Sequence, residues 1–155
     1  MSLPASPEPT PQTSSVQDLQ AAPAAGQLPV REGETAWTDA ERDQVYTDLV
    51  DEISFMERQI DATEREIAAT LRESGHGSGD DQVDLGSETF EREHELATLR
   101  NARDLLGQAQ RAASRLRAGT YGNCENCGQP IGKARLQAYP RATLCVTCKA
   151  KEERR

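Results

Sequence analysis

Residues 38–74 read TDAERDQVYTDLVDEISFMERQIDATEREIAATLRES, a run with neither glycine nor proline. Thr38 with Glu41 three residues on is a capping box, in which each side chain satisfies a backbone N–H that a helix start leaves orphaned. A helix is therefore expected to begin there. Inside it Tyr46, Ile53, Ile60 and Ile67 recur every seven residues, and Leu49 and Met56 lead a second row that continues as Thr63 and Thr70. Two rows at that spacing make a coiled-coil seam, weakening towards Ser74.

A second helical run extends over about 87–118, interrupted only by Gly107. Leu99, Leu106 and Ala113 form one of its rows, and Ala102, Ala109 and Leu116 the other. Small alanines facing larger Ile and Leu let two helices approach closely. At ~1.5 Å per residue each helix is roughly 45–55 Å long. The linker is short enough for the runs to fold back as an antiparallel hairpin. Parallel dimerisation is the alternative, but two seams in one chain meet at high effective concentration. A monomer is expected.

The linker carries the glycine-rich SGHGSG and then GDDQVDLGSE, residues 79–88. A solvated loop is the ordinary reading of such a charge run. On a hairpin, however, these carboxylates lie at the tip of a thin rod, where they repel one another and serve no core. By itself the spacing describes an acidic probe on a stalk.

All four cysteines lie in CENCGQPIGKARLQAYPRATLCVTC, residues 124–148, as C-x2-C-x17-C-x2-C. That spacing suits tetrahedral Zn²⁺ held by Cys124, Cys127, Cys145 and Cys148, with Gly128 and Gly132 giving backbone freedom in the first knuckle. Paired disulfides are not expected in a cytosolic chain, and a thioredoxin-like motif needs a βαβ context that is missing. Four thiolates leave no coordination position for water, so one structural zinc is expected. His76 and His94 are read as solvated residues of the rod. Ile131, Leu136, Tyr139, Leu144 and Val146 are nearly all the apolar residues of the module, so metal should supply much of its folding free energy. The closing KAKEERR is expected to form a short basic helix.

Residues 1–36 are rich in Pro, Ala, Ser, Thr and Gln without an apolar period, and are expected to be a disordered tail. The chain has 155 residues, 35% hydrophobic content and a net charge of −8. Residues 119–155 hold seven Lys or Arg against three Glu, a net of +4, leaving −12 elsewhere. This asymmetry suggests an oriented partner rather than a general nucleic-acid binder. No apolar run is long enough for a bilayer and no signal peptide is visible, so a cytoplasmic protein without a membrane partner is expected. The expected fold is mainly α: a disordered tail over 1–36, a coiled-coil hairpin over 37–118 with its acidic tip near 80–88, and a four-cysteine finger with a basic helix over 119–155.

The hairpin with acidic tip, followed by YGNCENCGQPIGKARLQAYPRATLCVTC, resembles the DksA/TraR family of bacterial transcription factors over roughly residues 37–155. The specific pattern is YGxCExCGxxIGxxRLxAxPxAxLCxxC, with DQVDLGSETFERE resembling the glycine-containing tip of one branch. The resemblance implies binding to bacterial RNA polymerase rather than sequence-specific binding to DNA. The coiled coil would enter the enzyme's secondary channel, and the tip would act near the active centre to alter open-complex lifetime. The family's tip pattern D-x-x-D-x-A falls on Asp81, Asp84 and Gly86, with glycine in place of alanine. Some members use basic residues near the finger to bind the alarmone ppGpp. Of those positions Lys149 is kept as an alarmone or polymerase contact, while Tyr139 and Gln108 stand where the family has arginine and lysine, which argues against a full ppGpp response. Carboxylates brought to a centre of Mg²⁺ and phosphate-handling cations could perturb both.

No nucleophile–base pair, open metal site or phosphate-binding loop is visible, so no catalytic residue is assigned and an enzyme is not expected. Two other readings stand beside the resemblance. A zinc-dependent nucleic-acid-binding module would draw on the basic finger, but lacks an aromatic stacking platform. A coiled-coil scaffold would use the seam for oligomerisation and leave the tip passive.

Overall fold

The computed structural model describes residues 16–74 and 82–155, with side chains over 18–73 and 86–155. Two long helices dominate it, α1 (Asp39–Ser74) and α2 (Gln82–Ala118). Two short ones, α3 (Lys133–Ala138) and α4 (Val146–Glu153), belong to the cysteine module. The capping box forms as expected: the Glu41 N–H donates to Thr38 Oγ1 at 3.2 Å, and the Thr38 N–H donates to Glu41 Oε2 at 3.0 Å. The long helices run antiparallel. Tyr46 near the start of α1 receives a 3.0 Å hydrogen bond from Arg117 near the end of α2, and midway along Glu64 pairs with Arg103.

The seam is where the heptads put it, and its burial falls with distance from the base. Tyr46 and Leu49 are fully buried against Ala109, Ala113 and Leu116. Ile53 and Met56 are half-buried, Ile60 and Leu99 are still covered, and Thr70 is exposed. Beyond the seam, Phe55 and Phe90 face solvent. Helix α2 starts earlier than expected, at Gln82 rather than near 87. Gly86 sits inside it, a cost of up to ~1 kcal/mol relative to alanine that a long packed helix absorbs. Much of the expected acidic turn is therefore helix: Asp84 is the third residue of α2, while Asp80 and Asp81 lie outside the described residues.

The expected disordered tail over 1–36 is corrected for residues 16–36; residues 1–15 lie outside those described. From Val16 the chain forms two 3-10 turns (Val16–Leu19 and Ala25–Gln27) and an extended strap to Trp37. Leu19 is only 2% exposed, and Ala25, Leu28 and Trp37 are buried with it in the core at the base of the hairpin. Tyr46 donates to Asp18 at 3.2 Å, and Arg42 donates to the Pro23 carbonyl at 3.3 Å. A Cβ on Gly119, which has φ +78°, would stand 2.6 Å from the Pro23 side chain, so the strap lies directly on the hairpin's exit. An irregular strap has no helical or strand period, and its prolines lower the entropy it must lose on ordering. Composition averaged over the whole tail hid its few apolar anchors.

The cysteine module has no separate core, as its few apolar residues lead one to expect. Tyr121, Ile131 and Leu136 are buried in one continuous core with the hairpin and strap. Tyr139 and Val146 face solvent. Tyr139 follows the last turn of α3, where its ring meets the Arg135 guanidinium at 5.8 Å on the surface. No described helix is long and apolar enough to cross a membrane.

Leu28→Ala should lower unfolding free energy by about 2–4 kcal/mol, the usual cost of truncating a buried leucine. Urea titration followed by far-ultraviolet circular dichroism checks this; a solvated tail would give no change.

Candidate functional site

The four cysteines converge. Cys124 and Cys127 sit on a tight knuckle in which the Gly128 N–H donates to the Cys124 carbonyl at 2.9 Å and the Cys124 N–H to the Gln129 carbonyl at 2.8 Å. Cys145 caps α4 and Cys148 lies in its first turn, with the Cys148 N–H directed at Cys145 Sγ at 3.5 Å. All four sulfurs lie within 4.8 Å of one another, and those of Cys127 and Cys145 are 3.9 Å apart. Zn–S bonds of about 2.3 Å in a tetrahedron put sulfurs about 3.8 Å apart, so the cluster fits one zinc ion.

The electrostatics agree with that fit. Burial pushes the Cys124 thiol up, but N–H donors, led by that of Cys145 at 3.4 Å, outweigh it and bring the pKa down to about 6. The Asn126 amide, 3.3 Å from Cys148 Sγ, pulls that thiol down, yet Cys145, burial and the other two cysteines together raise it to about 11. Four sulfurs this close cannot all ionise unless a cation offsets their mutual repulsion. Bound zinc would draw all four as thiolates and cross-link the knuckle to α4. With four protein ligands it has no open position, which suits a structural role. Among the described residues no other cluster could hold a metal, and His94 is exposed on α2. His76 lies outside the described residues.

Beside the finger, Gln108 of α2, Tyr139 and Lys149 line one open cleft of about 320 Å³ with Arg135 and Arg141. The sequence brought the first three together only through the family resemblance. Lys149 is paired with Glu152 at 2.8 Å, and Arg141 reaches back to Glu52 of α1 at 2.8 Å.

Residues 119–154 match the family model of the prokaryotic dksA/traR C4-type zinc finger. The RNA polymerase-binding transcription factor DksA of Caulobacter vibrioides is 41% identical over 75 residues, covering 48% of this chain and 53% of that protein. General stress protein 16O of Bacillus subtilis is 29% identical over 121 residues, covering 76% of this chain and 72% of that one. The solved structure of transcription factor DksA2 from Pseudomonas aeruginosa is 31% identical, has a TM-score of 0.60, and is matched over 74% of this chain and 84% of its own. This chain belongs to the DksA/TraR family. It spans about half the length of the curated DksA relatives it matches.

Like the family's finger, this one is of the C4 type, and its metal is one zinc. What sequence reasoning missed is how the finger is attached. Lys133, only 8% exposed, sits between finger and hairpin, with its ammonium 2.6 Å from Glu41 of the capping box. Arg115 of α2 pairs with Glu125 inside the first knuckle. Neither link carries a periodic or motif signal, because each joins residues whose neighbourhood only the folded chain creates.

Cys127→Ser should lose zinc and unfold the knuckle and α4, while α1 and α2 keep their helicity. Zinc stoichiometry of freshly purified, reduced protein, measured beside circular dichroism, decides it. Retention of one zinc per chain would overturn the four-cysteine assignment.

Proposed function

We propose that this protein binds bacterial RNA polymerase and modulates transcription initiation by placing the hairpin tip in the enzyme's secondary channel. Family membership supports the partner, since the matched DksA relatives are named as RNA polymerase-binding transcription factors. The observation that carries the mechanism is the rod itself. Two antiparallel helices of 36 and 37 residues, about 55 Å long, hold the start of α2 and its Asp84 at the opposite end from the finger. A narrow stalk with little burial along its far half can enter a channel without giving up core. The finger and the hairpin base stay outside as the broader contact.

Asp81 and Asp84 are the residues proposed to act at the polymerase active centre, by contacting its phosphate-handling cations or the surroundings of its Mg²⁺. Lys149 is proposed as a polymerase contact on the finger. The alarmone ppGpp is left out of this reading. Of the three aligned contact positions only Lys149 bears a charge, and its ammonium already meets Glu152. That pairing is also the first cause, ahead of the wider field of Glu152, that raises the Lys149 pKa.

Asp84→Asn should abolish the change in open-complex lifetime at a responsive promoter while polymerase binding falls only modestly. It keeps side-chain size and hydrogen-bonding capacity, and losing a negative charge in a helix's first turn costs no more than about 1 kcal/mol. Asp81→Asn should act in the same direction. If the Asp84 variant binds polymerase and shifts that lifetime as the parent does, the acidic stretch is only a helix start. Failure to bind core polymerase at all would instead favour the scaffold reading.

A further inference from the structure

The strap, the capping box of α1 and the start of α3 meet at Lys133. Its ammonium carries three hydrogens and has three acceptors: Glu41 Oε2 at 2.6 Å, Thr35 Oγ1 at 3.1 Å and the Ala36 carbonyl at 3.3 Å. The same residue's backbone N–H, at the start of α3, donates to Glu34 Oε2 at 2.8 Å. The ammonium also lies 5.8 Å from the centre of the Trp37 ring, which in turn meets Tyr121 edge-on at 6.3 Å. One residue of the finger is thus bonded to the strap through Glu34, Thr35 and Ala36, and to the hairpin through Glu41.

We propose that this clasp positions the finger on the hairpin independently of metal, so that Lys133 and the strap set where the finger sits while zinc orders only its cysteine-bearing edge. The clasp lies where Gly122, Ile131, Gly132 and Leu136 face the strap, flanking the first knuckle rather than within it. There the Ile131 N–H donates to the Gly122 carbonyl at 2.8 Å and the Leu136 N–H to the Gly132 carbonyl at 3.1 Å. Both side chains are buried in the core shared with hairpin and strap, so their burial draws on surface that zinc does not create. Strap and finger lie in close contact: a Cβ on Gly132 would lie 2.9 Å from Arg31 Cδ and one on Gly122 3.2 Å from Pro29 Cγ. By contrast, α4 is reached through Cys145 and Cys148, and its Val146, Thr147 and Lys149 are exposed. A buried ammonium with all three donors used is costly to disturb, because removing it strands the acceptors gathered around it.

The inference does not depend on polymerase being the partner, and its readouts are structural. Trp37 is the chain's single tryptophan and reports the clasp directly. In the unaltered protein, chelation under reducing conditions should leave Trp37 emission unshifted and the Ile131 and Leu136 amides protected from hydrogen exchange. The Lys149 amide, bonded to the Cys145 carbonyl at 2.9 Å, should lose its protection. Lys133→Met should do the reverse. It should keep one zinc and a protected Lys149 amide, shift Trp37 emission to the red, and lower protection at Ile131 and Leu136 roughly ten- to a hundredfold, as stranded buried partners would. The proposal is overturned if chelation exposes Trp37 and deprotects Ile131 and Leu136 together with Lys149. It is equally overturned if Lys133→Met leaves emission and protection as they were. The chelation arm uses the unaltered chain, so it decides the matter even if the variant does not fold.

Discussion

Close packing at the base of the hairpin is the constraint from which the other parts hang. Tyr46 and Leu49 of α1 can be fully buried because α2 offers Ala109, Ala112 and Ala113, whose small side chains let the helix axes approach. Leu116 and Val45 share one buried core with Leu19 and Leu28 of the strap and with Ile131 and Leu136 of the finger. Neither the strap nor the finger holds enough apolar surface to fold by itself. Both are attachments to a platform that two helices make.

Polar groups around this platform are placed to avoid stranding. Tyr46, wholly buried in its ring, carries its hydroxyl to Asp18 and receives Arg117. The Lys133 hydrogen bond, ahead of the Thr38 N–H, holds the Glu41 carboxyl below the usual range. A depressed carboxylate contributes stability at neutral pH that is lost as pH falls through its lowered value. Among the described residues no buried side-chain nitrogen or oxygen lacks a partner.

The elements read correctly from sequence were those with a period or a fixed spacing. Ile53, Ile60 and Leu99 could be assigned to a seam because a coiled coil repeats every seven residues, and the cysteines to one metal because two-residue gaps limit how thiolates can turn. The strap obeyed no such rule. Leu19, Ala25 and Leu28 are spaced by prolines and irregular turns, and each is buried against residues far along the chain, so nothing local distinguishes them from a solvated tail. The scarcity of apolar residues in the module did show that it lacks a core of its own, but not that Tyr139 and Val146 face solvent or that the hairpin and strap supply the core it joins. The sequence places the start of α2 near 87, whereas the helix runs from Gln82 through Gly86, cooperativity over a long helix absorbing one glycine.

The decline in burial from Tyr46 to Thr70 divides the rod into halves with different freedom to vary. At the base, a substitution on the buried face meets a neighbour from α2, the strap or the finger, and a side chain at either of two glycines there would meet a proline of the strap. Towards the far end, side chains such as Leu71 and Phe90 answer to little beyond their own helix. A lineage could therefore rewrite the chemistry of the far end many times over without having to re-solve the scaffold that carries it.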